Sequence, residues 1–225
     1  MSNDNQNIIL IGTNHANNGN CNHIELLKII ERIKPDVIFL EMMPSEYIYY
    51  YQHKTRSRLE SDAILLYLEK QNVVQILVDY DILPDKLFFD NDRNMHYEIE
   101  KRSREYCYLI DTNSALVAHY GFKYLNSSDC LNLNKALYTE IEETLKFINN
   151  DKYFPIRKAW IDHEELRDNT MMTNIYNYCK EYNFTTGIFL TGTAHRKSII
   201  EKIPIYNEKF NLNINWNYTN YENIL

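Results

Sequence analysis

The sequence predicts an α/β fold: a single domain over residues 1–225 whose central sheet is largely parallel, mixed at its edge, and flanked by helices. Three observations carry this. Four short apolar runs read as buried strands of the parallel type: Asn7–Gly12 (NIILIG), Asp36–Glu41 (DVIFLE), Val73–Asp79 (VVQILVD) and Gly187–Gly192 (GIFLTG). Helical patterns lie between them. No Gly/Ser-rich or Pro-rich linker divides the chain.

Each element has its own local signal. After the first strand, Asn22–Lys34 sets Ile24, Leu27, Ile30 and Ile33 on one helical face. Asn22 with Glu25 resembles a capping box, and Pro35 stops the helix. The strand ending at Glu41 completes a βαβ unit. Ser57–Gln71 reads as a helix before the third strand, and a long polar helix is expected over Asn94–His119, stopped by Gly121. Further helices are expected over Asn134–Asn150, Asp162–Tyr182 and Ala194–Ile203, the last ended by Pro204. Asn211–Tyr218 alternates apolar and polar, as an edge strand does.

Composition narrows the function classes. Lys+Arg 24 against Asp+Glu 31 gives a net charge of −7, without the basic surplus of a nucleic-acid-binding surface. Cys21, Cys107, Cys130 and Cys179 lie far apart with no C-x-x-C pair, which fits a reducing compartment better than a zinc ribbon or a disulfide framework. The polar start lacks the cationic and apolar regions of a signal peptide, and no apolar run approaches the roughly 20 residues that span a bilayer. The expectation is a cytoplasmic protein with no membrane and no nucleic-acid partner; a homo-oligomer is left open. With only 5 glycines, each is expected where backbone geometry demands it.

Two of those glycines belong to an internal echo. Residues 8–15 read IILIGTNH and residues 188–195 read IFLTGTAH, each an apolar strand followed by Gly-Thr-x-His. The strand runs out, Gly makes the turn, and His emerges at the carboxyl edge, where open α/β sheets bind ligands. Glu41 and Asp79 end the second and third strands. His15, Glu41, Asp79 and His195 are therefore expected to meet in one cleft. Two imidazoles and a carboxylate can ligate a divalent metal, with Zn²⁺, Mn²⁺ and Co²⁺ equally suited. Without metal they form a base and its orienter that activate water.

These motifs resemble the TraB/PrgY/Tiki group, within a wider set that includes ChaN-like haem-binding lipoproteins and erythromycin esterases. The matching residues are Gly12-Thr13-Asn14-His15, KPDVIFLE ending at Glu41, and Gly192-Thr193-Ala194-His195. LRDNTMM resembles the group's E-R-[DN]-x-x-M element and places Arg167, Asp168 and Asn169 at the matching positions, with Leu166 where that element has Glu. Order, spacing and strand context agree over roughly the first 45 and last 60 residues, counted along the chain. The resemblance implies an α/β domain with its site at the two His motifs. It leaves open metal-dependent proteolysis, lactone hydrolysis without metal, and haem or ligand binding without catalysis.

The expected activity is a metal-dependent hydrolase acting on a peptide or a small-molecule ester or amide. His15, Glu41 and His195 would hold the ion, aided by Asp79, with Arg167 and Asn169 steadying the oxyanion. The alternatives are a metal-free esterase with a His base oriented by Glu41, and a binding or sensing protein. Arg167 could equally form a buried ion pair that orients Glu41. Glu164 and Glu165 are expected to face elsewhere, and His163 to lie on a helix surface. The Tyr47–Tyr51 run is read as an aromatic cover rather than a source of haem ligands.

Overall fold

Five strands build one sheet: β1 (Asn7–Thr13), β2 (Val37–Leu40), β3 (Val74–Leu77), β4 (Thr186–Gly192) and β5 (Asn215–Asn217). They lie in the order β3-β2-β4-β1-β5 in this computed structural model, which describes residues 6–218; residues 1–5, where the expected polar start lies, are outside the described residues. Every pairing is parallel, the edge strand β5 included, so the sheet is not mixed. The reason is connectivity: each strand is reached through a helical crossover that returns the chain to the same end of the sheet.

The helices are α1 (His23–Ile33), α2 (Leu59–Leu68), α3 (Lys86–Glu100), α4 (Arg104–Tyr120), α5 (Phe122–Leu125), α6 (Ser128–Ile148), α7 (Tyr153–Glu181) and α8 (Thr193–Phe210). Several differ from expectation. The long polar helix is two, α3 and α4. Asp85 caps the first by accepting from Phe88 N, and Ser103 caps the second by accepting from Tyr106 N. Gly121 does stop α4, at φ 54°. Helix α6 begins earlier than expected because Ser127 caps it, and α7 begins at Tyr153 with Pro155 in its first turn.

Helix α8 runs through Pro204 to Phe210, with Ile203 and Tyr206 buried. Their burial offsets a penalty of about 3 kcal/mol for an interior proline. In α1 the buried face is Leu26, Leu27, Ile29 and Ile30, while Ile24 is exposed. Asn22 caps it by accepting from Ile24 N and Glu25 N; Glu25 itself pairs with Lys28.

Alternation along the strands feeds two cores. Ile11, Ile38, Leu40, Ile188 and Leu190 point to one face and pack with α1, α2 and the Tyr50–Tyr51 turn. Ile8, Leu10, Val37, Phe39 and Phe189 point to the other and pack with α7, α8 and Trp216. A third cluster, including Met95, Ile99, Tyr106, Ile141 and Leu145, joins α3, α4 and α6. No helix among the described residues is long and apolar enough to cross a membrane.

Candidate functional site

β4 lies between β1 and β2, so the carboxyl ends of three neighbouring strands stand side by side, each about 4.8 Å from the next. Thr13 stands beside Gly192, and Glu41 follows Leu40, the partner of Leu190. This is why residues far apart in the chain converge. Glu41 Oε2 accepts from Thr191 Oγ1 (2.8 Å) and Gly192 N (2.6 Å). Glu41 Oε1 faces Arg167 Nη2 at 2.5 Å, His195 Nε2 at 3.3 Å and His15 Nε2 at 3.7 Å.

Each imidazole has its own orienting carboxylate. His15 Nδ1 lies 2.8 Å from Glu60 Oε1, which also accepts from the Thr13 hydroxyl. Leu59 N donates to the His15 carbonyl (3.0 Å), so the start of α2 docks on the backbone of the residue that Glu60 orients. His195 Nδ1 lies 2.5 Å from Asp168 Oδ1. Sequence reasoning gives neither Glu60 nor Asp168 this orienting role. Glu60 leaves no signal beyond an acidic residue in a helix that is otherwise buried; Asp168 follows Arg167 directly and shares its helical face with Glu164.

Helix α7 supplies that face. Arg167 donates to both Asp79 oxygens (Nε at 3.1 Å, Nη2 at 2.8 Å), to Glu41 and to Glu164 Oε1 (3.2 Å). Asp79 is thus brought to the site through Arg167. Two expectations need correction here. Glu164 does not face elsewhere: its Oε2 lies 3.4 Å from His195 Nε2. Asn169 does not reach the centre: its amide donates to Glu165 (3.0 Å), and its carbonyl accepts from Tyr206 Oη (3.0 Å). At about 100° per residue, Glu164, Arg167 and Asp168 share one side of α7 and Asn169 turns off it. Glu165 does face away, paired with Lys202. His163 is half-buried with its ring edge-on to Phe88.

Five carboxylates (Glu41, Glu60, Asp79, Glu164, Asp168) surround Arg167 and two imidazoles. Burial opposes charge on both histidines, but the acids outweigh it. Glu41 and Glu60 raise His15 to about 10; Glu41, Asp168 and Glu164 raise His195 to about 10. Burial alone would raise the Glu41 carboxyl, yet the charge of His195 and the bond from His15 hold it well below its usual range. Arg167 is likewise held charged, against burial, by Asp79 and Glu41. Arg167 Nη1 stands 3.1 Å from His195 Nε2, so a doubly protonated His195 sets two donors face to face. Glu164 Oε1 accepts from Arg167 Nη1 at 3.2 Å, and oxygens of Glu41 and Glu164 lie 3.3 and 3.4 Å from His195 Nε2, where they favour its protonated form.

Two hollows adjoin this centre. One, of about 10 Å³, is lined by His15, Glu41, Tyr51, Arg58 and Glu60. It approaches the size that holds a single water. Glu60 Oε2 and Tyr51 Oη are buried without a hydrogen-bond partner among the described residues. The Tyr run otherwise covers the core as expected, with Tyr47 and Tyr51 stacked at 4.6 Å. The second hollow, about 190 Å³, opens beside Asp79, Glu164 and Arg167.

A divalent ion on His15, Glu41 and His195 would compete with Arg167 for its carboxylate ligand. The Arg167 guanidinium already bonds the Glu41 oxygen that both imidazoles face. Among the described residues, no three His, Cys, Asp or Glu side chains are grouped to hold a metal. Comparison with protein-family models, curated proteins and solved structures gave no match.

Proposed function

We propose that the protein hydrolyses ester or amide carbonyls by a metal-free route, with His15 as the base. The observation that carries this is the carboxylate–imidazole pairing: Glu60 holds His15 Nδ1 and leaves Nε2 facing Glu41, and all three side chains line the water-sized hollow. A water there forms a bond from its oxygen to the substrate carbonyl carbon and gives its proton to neutral His15. The carbonyl electron pair moves onto oxygen beside Arg167, a cation that its acid partners fix in place before reaction. On collapse the C–O or C–N bond breaks, and the leaving atom takes the proton from His15. The resemblance to the erythromycin esterases, carried by the two Gly-Thr-x-His motifs and Glu41, supports the same reading.

The pH profile tests it. With His15 raised to about 10, the neutral base is scarce at pH 7 and grows with pH. kcat/KM for a chromogenic p-nitrophenyl ester should climb about tenfold per unit before levelling near that value. A rate flat from pH 6 to 9, or a His15→Ala variant hydrolysing at the wild-type rate, overturns the proposal. No hydrolysis by the wild type at any pH favours the binding protein.

One observation favours the metal-dependent reading as the second choice. Both Nε2 atoms face one carboxylate oxygen while carboxylates hold both Nδ1 atoms, as around many metal-ligating histidines. An ion would first have to displace Arg167 from Glu41. Thermal scans with Mn²⁺, Co²⁺ or Zn²⁺ against chelator distinguish the two: a higher Tm with metal, growing with pH as the histidines lose protons, supports the ion. Equal Tm values support the metal-free site.

A further inference from the structure

We infer that the hollow beside Arg167 is a specificity pocket for one ring, or one branched aliphatic group, of an uncharged ester or amide; this rests on the hydrolase reading above. Position is the first argument. Asp79, Glu164 and Arg167, which belong to the charged centre, line it, and Met42 on its wall directly follows Glu41. A group seated there would hold the atoms attached to it against the residues that face the reacting carbonyl.

Size is the second argument. At about 190 Å³ the hollow has room for one ring, since a cavity of about 150 Å³ takes up benzene. Chemistry is the third. Met42, Met43, Ile82, Leu83, Phe89 and Trp160 form the walls. Trp160 stacks on Phe88 at 5.4 Å and meets Phe89 edge-on at 6.5 Å, which fixes an aromatic surface. Ile82 and Leu83 are each 62% exposed, an apolar rim left to solvent by the fold.

Charge decides what kind of ring enters. The ionisable wall groups are already paired: Glu46 with Arg56 and Arg58, and Arg167 with Asp79 and Glu164. Lining acids (Glu46, Asp79, Glu164) outnumber lining arginines (Arg58, Arg167). Burial and Arg167 lower His163, so it adds no cation. A neutral group meets no penalty there, whereas an anion finds the arginines already engaged by acids.

Binding can be read without catalysis through Trp160 emission, since the other tryptophan, Trp216, is buried in the second core. Phenylacetamide, acetamide and phenylacetate are the probes, titrated at pH 7. Phenylacetamide should give a saturable change, with acetamide at least about tenfold weaker for want of the ring. Phenylacetate should also bind more weakly than the amide. Leu83→Arg, at an exposed position that folding tolerates, should weaken phenylacetamide about tenfold by placing a charge in the mouth. No saturable change, equal binding of acetamide and phenylacetamide, or an unaffected Leu83→Arg variant each overturns the inference. Ring-selective binding by a protein that hydrolyses no ester leaves the pocket standing and removes the hydrolase. Hydrolysis without ring preference does the reverse.

Discussion

The two Gly-Thr-x-His segments share three residues of four and end at neighbouring strand tips, yet they behave differently. The first leaves β1 as a loop, and His15 adopts a left-handed backbone at φ 49° with its side chain 40% exposed. The second turns directly into α8, and His195 lies in that helix with its side chain 4% exposed. The residues on the carboxyl side of each motif explain the split. One residue after His15 comes Asn17-Asn18-Gly19, a turn-forming run of low helix propensity, whereas His195 precedes Arg-Lys-Ser-Ile-Ile, which sustains a helix. One tetrapeptide therefore delivers an accessible imidazole beside a water-sized hollow and a sealed imidazole bound to a buried acid.

The largest expected effects separate those roles. His15→Ala should lower kcat/KM by about 10²–10⁴, the range for loss of a general base, while the fold persists because Glu60 keeps its Thr13 partner. His195→Ala should cost about 3–5 kcal/mol of stability, because Asp168 is left buried without its counter-charge. Chemical denaturation beside rate measurements checks both. Equal stability losses in the two variants would break the distinction.

pH sharpens it. A raised histidine contributes stability that is full below its ordinary 6.5 and is lost as pH rises through its folded value of about 10, and this holds for His195. Glu41 is depressed, so its contribution is present above its ordinary 4.5 and lost as pH falls through its lower folded value. Tm should therefore be highest between about pH 5 and 6.5, fall as the solution is acidified below that, and decline steadily from about pH 6.5 to 10. The alkaline fall should shrink in His195→Ala more than in His15→Ala, whose more exposed ring is better screened.

The glycines bind the two motifs together. A Cβ on Gly192 would stand 2.8 Å from His15 Nε2, while one on Gly12 would stand 2.9 Å from the Thr193 methyl and 3.4 Å from Arg196 Cδ. Each motif's glycine makes room for the other motif. Gly192→Ala should displace the half-exposed His15 ring and depress activity with little loss of stability. Gly12→Ala, in a fully packed strand end, should cost about 1–3 kcal/mol. The reverse pattern would show that His15 is not the movable, reacting imidazole.

Much of this is legible in the sequence because it is local. The four runs from NIILIG to GIFLTG mark the strands, and the echo of Gly-Thr-x-His places His15 and His195 at their tips beside Glu41. The insertion of β4 between β1 and β2 is not local: no spacing along the chain encodes which strand becomes the neighbour. The orienting acids are hidden for the same reason, since Glu60 and Asp168 lie on different helices and acquire meaning only once α2 and α7 dock. Glu164 is different. Its place three residues before Arg167 and four before Asp168 is a helical-face signal, and Asn169 is misplaced when the motif is followed instead of that geometry. Pro204 misleads because burial of Ile203 and Tyr206 overrides a local breaker.

The smallest expected effect concerns the one residue by which the motifs differ. Asn14 and Ala194 are both exposed, and Asn14 does not adopt a left-handed backbone, so neither side chain is required by its site. Exchanging them in the double variant Asn14→Ala/Ala194→Asn makes the first motif read Gly-Thr-Ala-His and the second Gly-Thr-Asn-His. If the residues after each histidine decide loop against helix, both imidazoles should keep their partners. Stability should change by no more than about 0.7 kcal/mol, the helix-propensity cost of Asn near the start of α8. Activity should stay within about twofold of wild type, well short of the loss expected from removing a base. Denaturant midpoints and ester hydrolysis measure this together. A large loss of either would mean that Asn14 shapes the turn that presents His15, and the difference between the motifs would then lie inside the tetrapeptide.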